Sequence, residues 1–176
     1  DVGLHRGGLQ NLDELDAMLD TIAANPAQLS FAGFMGYDPH VVKLPSIIKK
    51  RENAYRESQQ TYTRFIERAA QHSSGIDIDA LCLNGAGSPT LKLHQLNSVC
   101  NDLSAGSCLV KPSDFDLDTL NEMQPAAYIA TQVLKKEQGT KIPGLESLAN
   151  LIPKWNPNRA NTFFIYGGAW MAEYES

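Results

Sequence analysis

Apolar residues along the first two thirds of the chain come in short blocks, and polar stretches with helical spacing separate them. The clearest helix follows Asn11, which can cap it, and ends at Asn25-Pro26. Its apolar residues recur at i, i+3, i+4 and i+7, as one face of a helix requires: Leu15, Met18, Leu19 and Ile22. A long polar stretch, residues 46–72, carries apolar side chains at roughly helical intervals and predicts another helix.

Four segments with strand-like composition alternate with the helical stretches. They begin near Asp1, Leu29, Ile76 and Ser98, and the last three span residues 29–35, 76–83 and 98–103. Strand, loop and helix in alternation are typical of a parallel α/β sheet or barrel. We therefore predict an α/β domain with parallel strands over residues 1–111.

The character of the chain changes near Pro112. Residues 126–134 and 162–166 are rich in β-branched and aromatic residues, and the stretch between them contains Pro and Gly without clear periodicity. We predict that residues 112–176 are the beginning of a mainly β domain. Since the chain opens without an initiating Met on a strand that needs neighbours, we also expect further residues before Asp1.

Composition restricts the class of protein. With 43% hydrophobic and 20% charged residues, the 176-residue chain is globular in composition, so disorder along its whole length is not expected. A formal net charge of -5 argues against a nucleic-acid partner. No apolar stretch reaches the roughly 20 residues that cross a bilayer. Three cysteines, which form neither an even disulfide set nor a metal-binding motif, fit a reducing compartment and predict a cytoplasmic protein.

Two loops of small residues follow the third and fourth predicted strands. The first loop, residues 85–90, contains Gly87, Ser88 and Thr90, and the second, residues 104–107, contains Gly106 and Ser107. Glycine lets backbone N–H groups approach an anion and hydroxyl groups add donors, so both loops suit a phosphate group. Each loop alone is more simply a turn, and the two hypotheses are about even for the pair.

Three larger polar side chains end the first two predicted strands. Arg6 could bind an anion or the polar edge of a cofactor, Tyr37 could lie flat on an aromatic ring, and His40 could exchange protons near neutral pH. Taken singly, a surface ion pair, a core tyrosine and a surface histidine are the simpler interpretations. The carboxyl ends of parallel strands share one edge of a sheet, so we expect these side chains and the two loops to meet.

The order of these motifs resembles that of the alanine racemase-like enzymes that use pyridoxal phosphate (PLP), and most of all the D-threonine aldolase and D-serine dehydratase branch. Asp1-Val2-Gly3-Leu4-His5-Arg6-Gly7-Gly8 is similar to an Asp-x-Gly-x-x-Arg-x-Gly strand of that family. The further similar segments are Gly33-Phe34-Met35-Gly36-Tyr37, Gly87-Ser88-Pro89-Thr90, Asp102-Leu103-Ser104-Ala105-Gly106-Ser107 and Phe163-Phe164-Ile165-Tyr166-Gly167-Gly168-Ala169-Trp170. The resemblance covers nearly the whole chain.

The resemblance implies the C-terminal part of a (β/α)8 barrel that carries pyridoxal 5'-phosphate, followed by a β domain, in an enzyme that acts as a homodimer. It implies that Arg6 contacts the ring edge of the cofactor and that Tyr37 lies against its face. It assigns the phosphate to Gly87, Ser88, Thr90, Gly106 and Ser107, and makes His40 a candidate catalytic group on the substrate side.

The resemblance also implies groups that lie outside this chain. It places the Schiff-base lysine upstream of Asp1 and the ligands of a divalent metal beyond Ser176, and Lys43, Lys92 and Lys111 occupy no matching motif. The expected function is that of an aldolase or racemase acting on a D-amino or β-hydroxy amino acid through an external aldimine. A D-serine dehydratase-like lyase and a non-catalytic remnant that binds PLP or another phosphate ester remain open. Without the lysine this segment alone is expected to be inactive.

Overall fold

The computed structural model describes residues 1–72, 76–139, 143–144 and 151–167. It divides the chain into two compact units, Asp1–Ala126 and Ala127–Ser176. The sequence patterns place a domain boundary nearby, between residues 111 and 112, and that boundary stays a prediction. Each unit is described by itself.

Helices of very different length form the outer layer of the first unit. They are α1 (Leu12–Ala24), α2 (His40–Lys43), α3 (Arg51–His72) and α4 (Leu91–Leu96). The predicted cap of α1 is confirmed, since the Asn11 side chain accepts a hydrogen bond from the N–H of Glu14 (2.9 Å). The helix ends at the predicted Asn25. The long polar stretch is helical from Arg51 onwards.

Three parallel strands form the sheet of the first unit, in the order β1 (Gly33–Met35), β2 (Cys82–Gly85) and β3 (Asp102–Leu103). Gly33 pairs with Cys82 and Asn84 with Asp102, so all three strands run to the same edge of the sheet. Gly33 is required here, because its φ is +142° and an added Cβ would lie 1.9 Å from the Cys82 carbonyl oxygen. The parallel arrangement of the three internal strands was predicted correctly.

The predicted partial (β/α)8 barrel is wrong. Within the described residues the parallel strands make a small open sheet of three, and no barrel closes. The opening segment is not a strand, because the Asp1 carboxylate accepts hydrogen bonds from the N–H groups of Gly3 (2.7 Å) and His5 (3.1 Å) and draws the chain into a turn. Gly3 and His5 have positive φ values of 115° and 57°, which interrupt an extended backbone. A barrel therefore lacks the strand that the sequence pattern assigned to this segment.

The core of the first unit lies between the sheet and the helices. One cluster joins Leu15 and Leu19 of α1 to Ala69 of α3, and a second joins Tyr62 of α3 to Leu81 and Leu83 beside and within β2. The hydroxyl group of Tyr62 donates to the carbonyl oxygens of Phe34 (3.0 Å) and Asn84 (2.8 Å), and burial raises its pKa. Tyr62 therefore couples α3 to both β1 and β2.

The second unit contains a two-stranded antiparallel sheet of β4 (Val133–Gln138) and β5 (Asn161–Ile165), with the short helix α5 (Ile152–Trp155). Its strand pairing runs from Val133 with Ile165 to Gln138 with Asn161, with an irregularity between Val133 and Lys135. The predicted β segment at residues 162–166 is thus present within one residue as β5, whereas the one at residues 126–134 is wrong for most of its length, because β4 begins only at Val133. The last three residues of the aldolase-like run, residues 168–170, lie outside the described residues.

None of the helices in the described part of the chain is both long enough and apolar enough to cross a membrane. Cys82, Cys100 and Cys108 are all free thiols.

Candidate functional site

A cleft of about 570 Å³ lies at the carboxyl ends of β1 and β2. Three parts of the first unit line it: the opening turn, β1 with the residues directly after it, and single residues of neighbouring elements. These residues are Asp1, Val2, Leu4, Arg6, Gly7, Gly8, Leu9, Met18, Gly33, Phe34, Met35, Gly36, Tyr37, Tyr62, Phe65, Asn84, Ala86 and Ser104. The volume is within the usual range for a small-ligand site. In an open parallel sheet this edge is also where ligands commonly bind.

Arg6 and Tyr37 meet in this cleft. The guanidinium carbon of Arg6 lies 4.6 Å from the centroid of the Tyr37 ring, within the range of a cation–π contact. The ring is held from behind by Gly87, where an added Cβ would lie 2.6 Å from Tyr37 Cε2. The Tyr37 side chain keeps 39% exposure. Both side chains therefore lie in the cleft, where the Arg6 guanidinium covers one face of the Tyr37 ring.

The first loop is packed inside the protein. Ser88 and Thr90 are 7% and 0% exposed, and both hydroxyl groups have partners within the chain. The Ser88 hydroxyl oxygen accepts from the N–H groups of Gly106 (3.2 Å) and Cys108 (3.0 Å), and the Thr90 hydroxyl donates to the Asp38 carboxylate (2.6 Å). Both hydroxyls are engaged in hydrogen bonds within the protein, so a phosphate group would have to compete with those bonds.

The second loop is on the surface. Gly106 and Ser107 are exposed, and Ser104, two residues before Gly106, lines the cleft. Ser107 begins a short 3₁₀-helix, Ser107–Leu109, that is held to the first loop through Ser88. Of the predicted phosphate-binding residues, Gly106 and Ser107 are thus the exposed ones, but the N–H of Gly106 is engaged with Ser88 and neither residue lines the cleft that contains Arg6 and Tyr37.

His40 lies at the start of α2, close to the opening turn. An added Cβ on Gly3 would be 2.9 Å from His40 Nε2, and His40 Nδ1 is buried without a hydrogen-bond partner in the described structure. Burial lowers the pKa of His40, with Asp38 acting in the opposite direction. His40 is outside the lining of the cleft that contains Arg6 and Tyr37. Its catalytic assignment stays a prediction.

A polar cluster of buried Asp38, Thr90 and His94 with half-buried Ser98 lies next to the first loop, and no sequence pattern predicted it. His94 Nε2 is 2.9 Å from the second carboxylate oxygen of Asp38, and His94 Nδ1 is 2.8 Å from the Ser98 hydroxyl. The His94 and Asp38 side chains are 1% and 3% exposed. Only the four-residue intervals from Thr90 to His94 and from His94 to Ser98 hinted at this group in the sequence.

The Ser98–His94–Asp38 arrangement has the residue types of a hydrolytic triad but not the access. The Ser98 hydroxyl oxygen also accepts the N–H of Cys100 (3.0 Å), and Ser98 lines neither the Arg6–Tyr37 cleft nor the groove along α3. A nucleophile must reach a substrate, so this cluster has no support as a hydrolase site.

A larger and more open groove of about 1000 Å³ runs along α3 and past Leu93, Leu96 and Asn97. None of the predicted site residues lines it. Arg51, one of its cations, is already paired with Asp118 (2.8 Å). The described residues also contain no group of three or more His, Cys, Asp or Glu side chains that could hold a metal ion.

Comparison of the chain with protein-family models, with curated proteins and with solved structures produced no match. The assignment of the site therefore depends on the geometry above. A PLP ring that stacked on this face of Tyr37 would have to displace the Arg6 guanidinium. For a phosphate group the exposed Ser107 hydroxyl lies outside the internal hydrogen bonds that engage the first-loop hydroxyls and the N–H of Gly106.

Proposed function

We propose that the first unit binds pyridoxal 5'-phosphate for an aldolase- or racemase-type reaction of a D-amino or β-hydroxy amino acid. The observation that carries the proposal is the contact between Arg6 and Tyr37 in a cleft at the carboxyl ends of parallel strands. These are the two side chains that the family resemblance assigned to the cofactor ring. Bound PLP would supply an electron sink for bond cleavage at the α-carbon.

In this proposal the chain's own residues bind and orient. Arg6 leaves the face of Tyr37 and contacts the polar edge of the ring, Tyr37 then supports the face of the ring, and Gly106 and Ser107 of the second loop are the residues nearest the phosphate group. Ser88 shapes that loop by accepting two of its N–H groups. Thr90 contributes through Asp38 and not by direct contact.

The reaction needs a lysine that the cleft does not provide. Among the described residues, the cleft lining contains no lysine, and Lys49, Lys92 and Lys111 are ion-paired with Glu57, Glu122 and Asp116. The resemblance assigns the lysine to a position before Asp1, in line with the proposed enzyme. The same observation favours a second candidate, a non-catalytic module that binds PLP or another phosphate ester. A D-serine dehydratase-like lyase has the same cofactor requirement and stays within the first proposal.

We also propose a cytoplasmic location, because three unpaired thiols suit a reducing compartment. Dimer formation and the absence of a nucleic-acid partner stay predictions of the sequence.

Binding of pyridoxine 5'-phosphate, measured by calorimetry, tests the cofactor site. This probe lacks the aldehyde of PLP, so it cannot react with surface lysines. We expect Arg6→Met to weaken binding roughly 10- to 100-fold, the loss expected for a hydrogen bond to a charged group. The control is Arg56→Met, on α3 in the other groove, which should bind as the unsubstituted protein does. No binding by the unsubstituted protein, or equal loss in both variants, would refute the proposal.

Competition by inorganic phosphate, together with Tyr37→Leu, separates a PLP site from a module for other phosphate esters. A general phosphate-ester module should be competed by millimolar phosphate and should be indifferent to Tyr37→Leu. A PLP site should lose affinity in Tyr37→Leu, because the aromatic support of the ring is removed.

A further inference from the structure

The polar cluster of Asp38, Thr90, His94 and Ser98 is joined to the cleft through the backbone. Asp38 directly follows Tyr37, whose ring lines the cleft, and Thr90 ends the first loop, whose Gly87 contacts that ring. One carboxylate oxygen of Asp38 accepts the Thr90 hydroxyl (2.6 Å), and the other faces His94 Nε2 (2.9 Å). The carboxylate therefore connects the loop after β1 to both the first loop and α4.

Because Asp38 is buried, its carboxylate depends on these contacts for stabilisation. Asp38 is 2% exposed, and a carboxylate in that position must be compensated by hydrogen bonds and by an opposite charge. Burial on its own would lower the pKa of His94, but its hydrogen bond to Asp38 and its electrostatic interactions with Asp38 and Cys100 outweigh this and raise the pKa to about 9. His94 is thus a cation at neutral pH, and Asp38 has the partner that it needs.

The Tyr37 ring is consequently held from two sides. Gly87 limits its approach to the first loop, since a Cβ there would be 2.6 Å from the ring. The contacts of the Asp38 carboxylate with Thr90 and His94 restrict the backbone next to Tyr37. We propose that Asp38 is a positioning residue that, through Thr90 and His94, holds Tyr37 against Gly87 in the orientation that the cleft uses. That a cofactor ring occupies this cleft rests on the proposed function, but the positioning itself can be measured without a ligand.

The titratable groups that face His94 are Asp38, Cys100 and Tyr55. Tyr55 of α3 packs edge-on against the imidazole ring, with 5.2 Å between centroids. Burial raises the pKa of Tyr55 to about 12, so this phenol stays protonated where His94 titrates. Loss of the His94 proton would remove the charge that Asp38 faces, and the orientation of Tyr37 should then change with it.

NMR of the full 176-residue chain tests the positioning in the absence of ligand. The readout is the nuclear Overhauser effect between the Tyr37 ring and the α-protons of Gly87. We expect Asp38→Asn and Thr90→Val to lose this effect, and Thr90→Ser, which keeps the hydroxyl, to retain it. The matched control is Asp16→Asn, because Asp16 pairs with Arg68 between α1 and α3, away from the cleft residue Tyr37. An unchanged effect in a folded Asp38→Asn or Thr90→Val protein would overturn the proposal.

Two further measurements keep the test decisive. If Asp38→Asn does not fold, the nuclear Overhauser effect in Thr90→Val tests the proposal instead. A pH titration of the unsubstituted protein is the second measurement, in which the chemical shifts of the Tyr37 ring should follow those of the His94 imidazole near its pKa of about 9. Tyr37 shifts that stay flat through that titration would contradict the proposal. Pyridoxine 5'-phosphate should bind Thr90→Val about fivefold more weakly, as for one lost hydrogen bond, and Thr90→Ser normally. If the unsubstituted protein binds no pyridoxine 5'-phosphate, the proposed function fails. The NMR experiment still tests the positioning of Tyr37 by Asp38, because it needs no ligand.

Discussion

The two small-residue loops look alike in sequence and differ in the folded protein. Both contain glycine and serine, and both follow a parallel strand. Every residue of the first loop is buried, whereas Gly106 and Ser107 in the second are exposed. The hydroxyl groups of such a turn can make hydrogen bonds inside the protein or face solvent, and the composition of the loop does not predict which of these occurs. Substitutions that affect one loop and spare the other test this contrast.

The largest effect is expected where the first loop meets the buried carboxylate. Asp38→Ala should lower the free energy of unfolding by about 3–5 kcal/mol, because it leaves His94 and Thr90 buried without their partner. Asp118→Ala breaks the surface pair with Arg51 and should cost at most about 1 kcal/mol. Urea unfolding of both variants measures the two values. Equal losses in the free energy of unfolding would mean that the Asp38 cluster stabilises the protein no more than a surface ion pair does.

The pH dependence of stability should report the same cluster. The pKa of His94 is raised in the folded protein, so its contribution is complete below the unfolded pKa of about 6.5 and is lost as the pH rises through about 9. Between these values we expect the free energy of unfolding to fall by up to about 3 kcal/mol. In His94→Gln this fall should disappear, and a fall that persists there would assign it to another group.

Glycine substitutions compare the loops directly. Gly87→Ala should cost about 1–3 kcal/mol, because the new Cβ would overlap the Tyr37 ring. Gly106→Ala should change stability by no more than about 0.5 kcal/mol, since no neighbouring atom lies within 4 Å of its added Cβ and its φ of -131° is outside the left-handed region. Thermal unfolding of the pair provides the measurement. A tolerant Gly87 would show that the Tyr37 ring can move.

The smallest contrast concerns the two serines. Ser88→Ala removes the acceptor of two N–H groups, one of them on buried Cys108, and should cost about 1–2 kcal/mol. Ser107→Ala changes an exposed hydroxyl and should leave stability within about 0.5 kcal/mol. If pyridoxine 5'-phosphate affinity then falls in Ser107→Ala and its stability does not, the second loop contacts the phosphate.

Local pattern predicted a good part of the first unit. The cap of α1 at Asn11 and its end at Asn25 depend on residues next to them in sequence, and both are where the pattern placed them. The strand interiors around Phe34 and Leu83 also follow from their apolar runs. The partial barrel failed because a carboxylate at Asp1 makes a turn with its own neighbours, which a hydrophobic pattern does not register.

The candidate site divides in the same way. The proximity of Arg6 and Tyr37 was expected from the rule for parallel strands, but that rule accounts only for Tyr37, because Arg6 arrives there on a turn and not on a strand. That Asp38 would bind His94, 56 residues away, had no counterpart in the sequence pattern. Contacts over such separations depend on how the elements pack.

Sequence by itself determined which residue types stand at the strand ends, where α1 begins and ends, and that the internal strands run parallel, because these properties arise from nearest neighbours and from the period of apolar residues. Tertiary structure alone decided which hydroxyls point inward, which carboxylate becomes the partner of a histidine, and that the parallel sheet in the described part of the chain is open and has three strands. Those outcomes depend on burial, and burial is a property of the packed chain, where the cost of an unpaired polar group selects one arrangement over the others.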